Sequence, residues 1–408
     1  MERSASRLGL PGHPGFEVHP VGSPLASVGV EGEWVAVRWV DGLEARFFGP
    51  FLYENRFEPG ITSPDTRQRE VEPSGVPADL RPVEASVDGA GALVLAWSTG
   101  EPSRHHPGWL RHYRRGRHLP QDAAPPMRHW AESGLTELPT FDGAAVLAGD
   151  EEVFGGWCTA IAVHGIGRLE GLPTEPGTVL AVAERLGVVR ATHFGRSFEV
   201  VIAPENESNA YTSLPLAPHV DIATREHQPG LQLLHCLVNT CPDGRSTMVD
   251  GFSVVDEVRR TDPDAFEALT TLRWVHSNRS TVTDLRWSEP VVRLGSDGEP
   301  SEIRLSTGTR ALPDMADEDL PRAYRALRLA SEVAGDPRFR ITTAWRPGDL
   351  VCFRNGRVLH GRERFDPALG ERHLQGCYVD LDDLWSCLRM VRRRRLAAGS
   401  AEPEENGG

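Results

Sequence analysis

Lysine is absent from the 408-residue sequence, so all 44 basic residues are arginine. A chain without lysine cannot form a Schiff base through its own side chains, and it lacks the lysine of a nucleotide-binding P-loop. Any anion that binds to this protein must therefore be held by arginine, by backbone amides or by a metal ion.

Long apolar runs and paired cysteines are also missing. No apolar segment approaches the ~20 residues that a membrane-spanning helix needs, and the first 20 residues lack the apolar core and cleavage site of a secretory signal. The six cysteines are scattered, without a Cys-x-x-Cys pair, which favours a reducing compartment over a disulfide scaffold. We therefore expect a cytoplasmic protein that has no membrane partner.

The charge balance narrows the class of partner further. The net charge is −14, which disfavours binding to nucleic acid or to anionic membranes. Hydrophobic residues at 39% and charged residues at 25% are typical of a soluble globular protein. The length predicts one large and one smaller domain.

Composition along the chain predicts five segments. Residues 1–25 are rich in Gly, Pro and Ser and are predicted to be a flexible N-terminus. Alternating runs such as "EWVAVRWVDG" predict a small β-rich accessory domain over 26–118, and a proline-rich stretch predicts a linker over 119–140. Residues 141–396 mix many short strand-like runs with a few helices, which predicts an α+β domain built on a β-sandwich or barrel with helical insertions. Residues 397–408 are predicted to form a disordered tail.

The stretch "SLPLAPHVDIAT" places His219 and Asp221 two residues apart. In an extended strand both side chains face one surface, where they can be two ligands of a divalent metal. A loop hydrogen bond explains the pair equally well. A third ligand is available in "NGRVLHGR", where an Asn-Gly turn leads into a strand that carries His360. Two histidines and one carboxylate suit Fe(II) and leave positions open for a co-substrate and oxygen.

Arg372 follows on the next strand-like run, "ERHLQGCYVDLD". A guanidinium binds a carboxylate through two parallel hydrogen bonds, as is needed to hold the far end of a dicarboxylate that chelates the iron. A surface ion pair is the alternative for Arg372 taken alone. The order His-x-Asp, long insertion, His, Arg is more specific than any of its parts.

Together with "QPGLQLLHCLVN" and "GRSTMVDGF", these motifs resemble the γ-butyrobetaine/trimethyllysine dioxygenases, which are taurine dioxygenase-like Fe(II)/2-oxoglutarate enzymes. The resemblance implies a double-stranded β-helix (jelly-roll) domain and a homodimer. It also implies Fe(II) on His219, Asp221 and His360, with O2 and 2-oxoglutarate as co-substrates. The far carboxylate of 2-oxoglutarate would then be bound by Arg372, with help from Ser246.

The N-terminal domain resembles the accessory domain of the same family, which often binds structural zinc through three cysteines and a histidine. The matching positions here are Arg56, Glu58, Ile61 and Glu101. A set without thiolates that includes an arginine does not suit zinc. We therefore expect no structural zinc.

The resemblance also implies an aromatic cage that binds a cationic amine by cation–π attraction, formed by Phe194, Phe198, Tyr211 and Tyr378. Packing in the core is the alternative explanation for these rings. Two are Phe where betaine-binding relatives tend to have Tyr or Trp, so a bulkier or less charged group is expected. Arg310 is a candidate for the substrate carboxylate, although a salt bridge explains it as well.

The expected function is hydroxylation of an unactivated carbon of a small amino acid or betaine-like compound, in a biosynthetic tailoring pathway. Desaturation or cyclisation by the same triad stays open. So do a non-enzymatic sensor with a metal- and ligand-binding β-helix, and a zinc hydrolase, which Arg372 disfavours.

Overall fold

The computed structural model describes residues 19, 21–58, 60–63, 68–115, 124–202 and 212–397. Much of the predicted N-terminus (1–25) and tail (397–408), the first part of the predicted linker (119–140) and Tyr211 lie outside these residues. The chain divides into two compact units, Met1–Asp122 and Ala123–Gly408.

The first unit contains two antiparallel sheets, each of three strands. Side-chain exposure alternates along β2, as expected for a strand with one buried face. Val35, Val37 and Trp39 are buried, whereas Trp34 and Arg38 are exposed. The elements are β1 (Leu25–Glu31), β2 (Trp34–Trp39), β3 (Glu44–Phe48), α1 (Gly49–Glu54), β4 (Pro82–Val87), β5 (Leu93–Trp97), β6 (Pro102–His105) and α2 (Pro107–His112).

The positions that match the family's zinc ligands carry a different set of contacts. Arg56 is buried, donates from Nε to the Tyr53 carbonyl at 3.1 Å and lies over the Tyr53 ring. Its Nη1 forms an ion pair with Glu58 at 3.2 Å. A guanidinium bonded in this way explains how the segment is held together without thiolates. That the unit binds no zinc stays a prediction.

The second unit contains fifteen strands and eight helices among its described residues. The strands are β7 (Thr140–Asp142), β8 (Ile166–Glu170), β9 (Phe198–Val200), β10 (Leu216–His219), β11 (Leu231–Asn239), β12 (Ser246–Asp250), β13 (Arg273–Arg279), β14 (Asp284–Pro290), β15 (Val292–Leu294), β16 (Pro300–Ile303), β17 (Arg310–Asp314), β18 (Arg340–Thr343), β19 (Leu350–Arg354), β20 (Val358–Arg362) and β21 (Arg372–Val379). The helices are α3 (Trp130–Ser133), α4 (Gly143–Ala148), α5 (Glu151–His164), α6 (Thr178–Leu186), α7 (Gly251–Thr261), α8 (Pro263–Thr271), α9 (Leu320–Ala334) and α10 (Leu381–Ala397). No helix in the described ranges is long and apolar enough to cross a bilayer.

Two sheets form the centre of this unit. One has six strands in the order β7-β8-β19-β11-β21-β9, and the other has four in the order β10-β20-β12-β18. Leu234 and Phe353 from the first sheet and Met248 and Ile341 from the second belong to one buried cluster, so the two inner faces pack on each other. This is the predicted jelly-roll with helical insertions, and the fold prediction is confirmed.

Both sheets are also covered on their outer faces, which explains why six of the eight residues in "LQLLHCLV" are apolar. On β11, Leu231 and Leu233 pack in a cluster with helices α4, α5, α6 and α10, whereas Leu234 and Cys236 face the inner cluster. Helices α7, α8 and α9 pack in the same way over Val249 and Leu359 of the four-stranded sheet. Burial on both faces removes the polar alternation of a half-exposed strand.

Part of the segment that the prolines predict to be a linker is packed in the core. Trp130 of α3 is 1% exposed, and its Nε1 donates to the His164 carbonyl at 2.7 Å. Its backbone N–H donates to Asp250 Oδ2 at 2.8 Å. Proline content predicts turns, but it does not indicate that a single large side chain in the same segment is buried in the core.

Asp250 and Arg357 form a fully buried ion pair in the second unit. The guanidinium meets both carboxylate oxygens, at 3.0 and 3.2 Å, and also donates to the carbonyls of Val163 and Arg128. Burial by itself would raise the pKa of Asp250, but Arg357 and the hydrogen bonds outweigh it and hold that pKa below its ordinary value. The pair therefore ties the end of β12 to the start of β20.

We expect Arg357→Met to lower the free energy of unfolding by about 3–5 kcal/mol, because it leaves a buried carboxylate unpaired. The matched control is Arg286→Met, which breaks a pair with Asp284 that is about half exposed on both sides and should cost under about 1 kcal/mol. Since folding lowers the pKa of Asp250, the contribution of the pair is complete above the unfolded pKa of ~3.9 and is lost as the pH falls below it. Urea denaturation across this pH range measures both effects, and equal losses in the two variants would contradict the assignment.

Candidate metal centre

The four-stranded sheet brings His219 and His360 side by side. His219 ends β10 and lies opposite His360 of β20 in the antiparallel register, with the ring centroids 4.3 Å apart. Asp221 follows two residues later, and its Oδ1 lies 3.4 Å from His219 Nε2 and 3.7 Å from His360 Nε2. One potential ligand atom from each of the three residues falls within 4.8 Å of the others.

This donor set fits the iron that the sequence motif implies. Two imidazole nitrogens and one carboxylate oxygen on one side of an ion form the facial triad of non-haem Fe(II) oxygenases. Among the described residues, no other group of three or more His, Cys, Asp or Glu side chains has ligand atoms this close. The three ligands predicted from the sequence are thus brought together by the fold.

The protonation states of Asp221 and His360 also suit metal ligands. Burial would raise the pKa of Asp221, but His360, His219 and the Tyr378 hydroxyl outweigh it and hold that pKa well below its ordinary value. Burial and the neighbouring His219 lower the pKa of His360 to about 3. For His219 burial lowers the pKa, but the Asp221 carboxylate outweighs it and the net shift is upward. The carboxylate is therefore anionic and His360 neutral at ordinary pH, as metal ligands must be, whereas the raised pKa of His219 favours a protonated ring that must lose its proton when a metal binds.

Hydrogen bonds set the direction in which Asp221 points. Its Oδ2 accepts from the Tyr378 hydroxyl and from Gln232 Nε2, both at 2.8 Å, which leaves Oδ1 facing the two histidines. Its backbone N–H donates to Asn355 Oδ1 at 2.8 Å, and its carbonyl accepts from Asn355 Nδ2 at 3.0 Å. Hydrogen bonds of this kind, made by neighbouring residues to a metal-ligating side chain, hold that side chain in its binding orientation.

A cavity of about 100 Å³ adjoins the triad. Besides the triad it contains five of the residues predicted for the site, namely Phe194, Phe198, Ser246, Arg372 and Tyr378. The rest of its wall is formed by Val200, Leu216, Gln232, Leu234, Met248, Trp345, Gly361, Arg362 and Leu374.

One part of the cavity wall is strongly positive. Arg372 is buried at the start of β21 and its Nη2 donates to Ser246 Oγ at 3.2 Å. No acidic side chain in the described part of the chain forms an ion pair with it. Arg362 of β20 lies in the same wall and donates to the Thr212 and Leu214 carbonyls. Burial and the nearby Arg372 lower the pKa of Arg362 to about 10. Two buried guanidiniums near one cavity can bind an anion.

Another part of the wall is aromatic. Phe198 stacks on Tyr378 with the ring centroids 5.1 Å apart, and Phe194 lies 6.2 Å from Phe198. The fourth predicted cage residue, Tyr211, lies outside the described residues. Arg310 does not line the cavity, because its guanidinium lies over the rings of Trp274 and Tyr324.

Sequence reasoning missed several residues of the site. Arg362 lies two residues after His360 on the same strand, so strand periodicity could have identified it. Asn355 was expected only as a turn residue, and its two hydrogen bonds to the Asp221 backbone depend on tertiary contact. Gln232 and Trp345 carried no recognisable sequence signal.

Residues 124–378 match the family model described as "Taurine catabolism dioxygenase TauD, TfdA family". The chain belongs to this family. It is 38% identical over 380 residues to a gamma-butyrobetaine dioxygenase of Pseudomonas sp. (strain AK-1), which covers 93% of this chain and 99% of the relative. It is 31% identical over 276 residues to the gamma-butyrobetaine dioxygenase of Homo sapiens, covering 66% and 70% of the two chains. It is 26% identical over 386 residues to the trimethyllysine dioxygenase of Meyerozyma guilliermondii, covering 90% and 96%.

This membership and the triad confirm the predicted enzyme class and cofactors. The protein is a 2-oxoglutarate-dependent dioxygenase of the TauD/TfdA family that uses Fe(II), 2-oxoglutarate and O2. The family resemblance predicted from the motifs around His219, His360 and Arg372 is likewise confirmed.

We expect Tyr378→Phe to weaken Fe(II) binding by about 10-fold or more, because it removes one of the two donors to Asp221 Oδ2 and keeps the ring. Anaerobic Fe(II) titration measures the change. The control is Tyr324→Phe, whose ring packs on Trp274 away from the cavity and should leave metal binding unchanged. Wild-type affinity in Tyr378→Phe would show that this hydroxyl does not orient the ligand.

Proposed function

We propose that this dioxygenase hydroxylates an unactivated carbon of a small betaine or N-methylated amino acid. The single observation that carries the proposal is the aromatic wall of Phe194, Phe198 and Tyr378, in the same cavity as the iron ligands. The names of the relatives support the same substrate class, since they are dioxygenases of gamma-butyrobetaine and trimethyllysine.

The aromatic wall suits an alkylated amine. The faces of aromatic rings attract cations, and the attraction grows where water is excluded. Phe198 and Tyr378 present stacked rings beside the triad, and Leu234, Met248 and Trp345 make much of the remaining wall apolar. Because Phe attracts cations less strongly than Trp, the wall also accepts bulkier or less charged amines.

The chain's own residues have distinct roles in this reaction. When bound, Fe(II) supplies the oxidising chemistry that couples decarboxylation of 2-oxoglutarate to the hydroxylation of a C–H bond. Arg372, held against Ser246, binds the far carboxylate of 2-oxoglutarate, and Arg362 adds positive potential to that part of the wall. The aromatic wall places the reacting carbon near the triad, so the protein contributes mainly by orientation.

Three further expectations belong to this proposal. Composition supports a cytoplasmic location, and the family resemblance supports a homodimer, which light scattering on the purified protein can test. A place in a biosynthetic tailoring pathway is proposed from the Phe at positions 194 and 198, where the family resemblance predicts Tyr or Trp.

We expect succinate formation that depends on an added amine when the protein is supplied with Fe(II), ascorbate and 2-oxoglutarate. The panel contains γ-butyrobetaine, trimethyllysine, other betaines and N-methylated amino acids, and each cation is paired with its neutral tert-butyl analogue. The cationic member of a pair should have the lower KM, and Phe198→Ala should raise that KM because it removes one ring of the wall. Asp221→Ala should abolish turnover and serves as the inactive control.

The product mass distinguishes the alternatives. Hydroxylation adds one oxygen atom, whereas desaturation or cyclisation removes two hydrogens. A sensor would bind ligands without releasing succinate, and a hydrolase would show activity that follows zinc content. Any of these three outcomes would contradict the proposed hydroxylation.

We expect Arg372→Met to raise the KM for 2-oxoglutarate by up to about 100-fold, corresponding to the ~3 kcal/mol of a lost charged hydrogen bond. The amine-dependent kcat at saturating 2-oxoglutarate should fall much less, because the change removes binding rather than chemistry. Arg245→Met is the matched control, since Arg245 is exposed and paired with Glu363. An unchanged KM in Arg372→Met would place the far carboxylate elsewhere.

A further inference from the structure

The loop that directly follows Asp221, residues 222–226, contains an unusual backbone conformation. Ile222 has φ of 53°, and among the described residues it is the only one other than glycine with a positive φ. This region is unfavourable for a β-branched side chain. Such a conformation persists only where surrounding contacts impose it.

Arg304 supplies contacts of this kind. Its side chain is 2% exposed, its Nη1 donates to the carbonyls of Ala223 at 2.8 Å and Arg225 at 2.6 Å, and its Nη2 donates to the carbonyl of Glu226 at 3.0 Å. One buried guanidinium thus binds three of the four carbonyls that follow Ile222. Arginine suits this role because its donors point in fixed directions.

The backbone around Arg304 also lies beside the ligand segment. The N–H of Val220, the residue between the two ligands His219 and Asp221, donates to the Leu305 carbonyl at 2.9 Å. Asn355 holds the backbone of Asp221 itself. Ile222 therefore lies between two sets of contacts, one from Asn355 and one from Arg304.

Two glutamates hold the guanidinium in place. Glu302 Oε1 lies 3.1 Å and Glu289 Oε2 lies 3.9 Å from Arg304 Nη2. Arg293 pairs with the same two carboxylates, at 2.8 and 2.7 Å, and its side chain is partly exposed. The two arginines thus share their acidic partners, but only Arg304 donates to the loop.

We propose that Arg304 is a positioning residue of the iron centre. By holding the carbonyls of residues 223, 225 and 226 it keeps Ile222 in its unfavourable conformation, and this conformation directs Asp221 Oδ1 towards the two histidines. Arg304 does not line the cavity beside the triad and acts only through the loop backbone. The inference concerns metal binding and is independent of which substrate is oxidised.

The test compares Arg304→Met with Arg293→Met. The first measurement is the Kd for Fe(II) by anaerobic titration without substrate, and the second is amide hydrogen exchange of residues 222–226 in the metal-free protein. We expect Arg304→Met to weaken Fe(II) binding by about 10–100-fold, as is typical for contacts that orient a ligand, and to accelerate exchange in this loop. Arg293→Met should leave both unchanged, although it disturbs the same glutamates.

A second variant keeps the test decisive if Arg304→Met does not fold. Arg304→Lys retains the charge but replaces the planar fork with a single ammonium group, so it should bind fewer carbonyls and show an intermediate Kd and exchange rate. Wild-type Fe(II) affinity in a folded Arg304 variant would overturn the inference. So would an equal loss in Arg293→Met, which would assign the effect to the glutamates. Because no substrate is present, failure of the proposed amine hydroxylation leaves this result unaffected.

Discussion

The antiparallel pairing of β10 with β20 is the constraint on which the metal centre depends. It sets His219 opposite His360, and a shift of one residue in either strand would turn one imidazole to the other face of the sheet. The register is supported by burial on both sides: Leu359 packs under the outer helices and Met248, opposite His360 on β12, packs in the inner cluster. Burial of Leu359 and Met248 therefore fixes the strand register, and the register places the two histidines opposite each other.

The cavity combines three environments within one small volume. The triad includes the anionic Asp221 carboxylate, Arg362 and Arg372 provide positive charge, and Phe194 and Phe198 provide an apolar aromatic wall. Most of these residues lie on strands of the two sheets, while Asp221 follows β10 and Phe194 precedes β9. This arrangement suits the proposed reaction, since 2-oxoglutarate and the proposed amine would occupy different parts of the same cavity.

Several buried arginines have structural roles that lysine or a zinc ion could have in other proteins. Arg357 neutralises Asp250 in the core, and the buried Arg56 pairs with Glu58 in the first unit. In each case the guanidinium also donates to backbone carbonyls, so its cost of burial is offset by hydrogen bonds. A chain with arginine as its only strong base can use one residue type for ion pairing, for backbone contacts and for anion binding.

The sequence by itself predicted the candidate iron ligands and a β-sandwich or barrel, because period-two strands, an Asn-Gly turn and a His-x-Asp motif are local patterns. The jelly-roll and the anion-binding role of Arg372 were predicted from the family resemblance that these motifs carry. The sequence did not determine that Tyr378, read as a cage residue, donates its hydroxyl to Asp221, or that Arg310 lies over Trp274 instead of in the cavity. Nor did it indicate that Asn355 would hold the backbone of Asp221. These contacts join residues far apart in the chain, and only the packing of two sheets decides which polar groups meet.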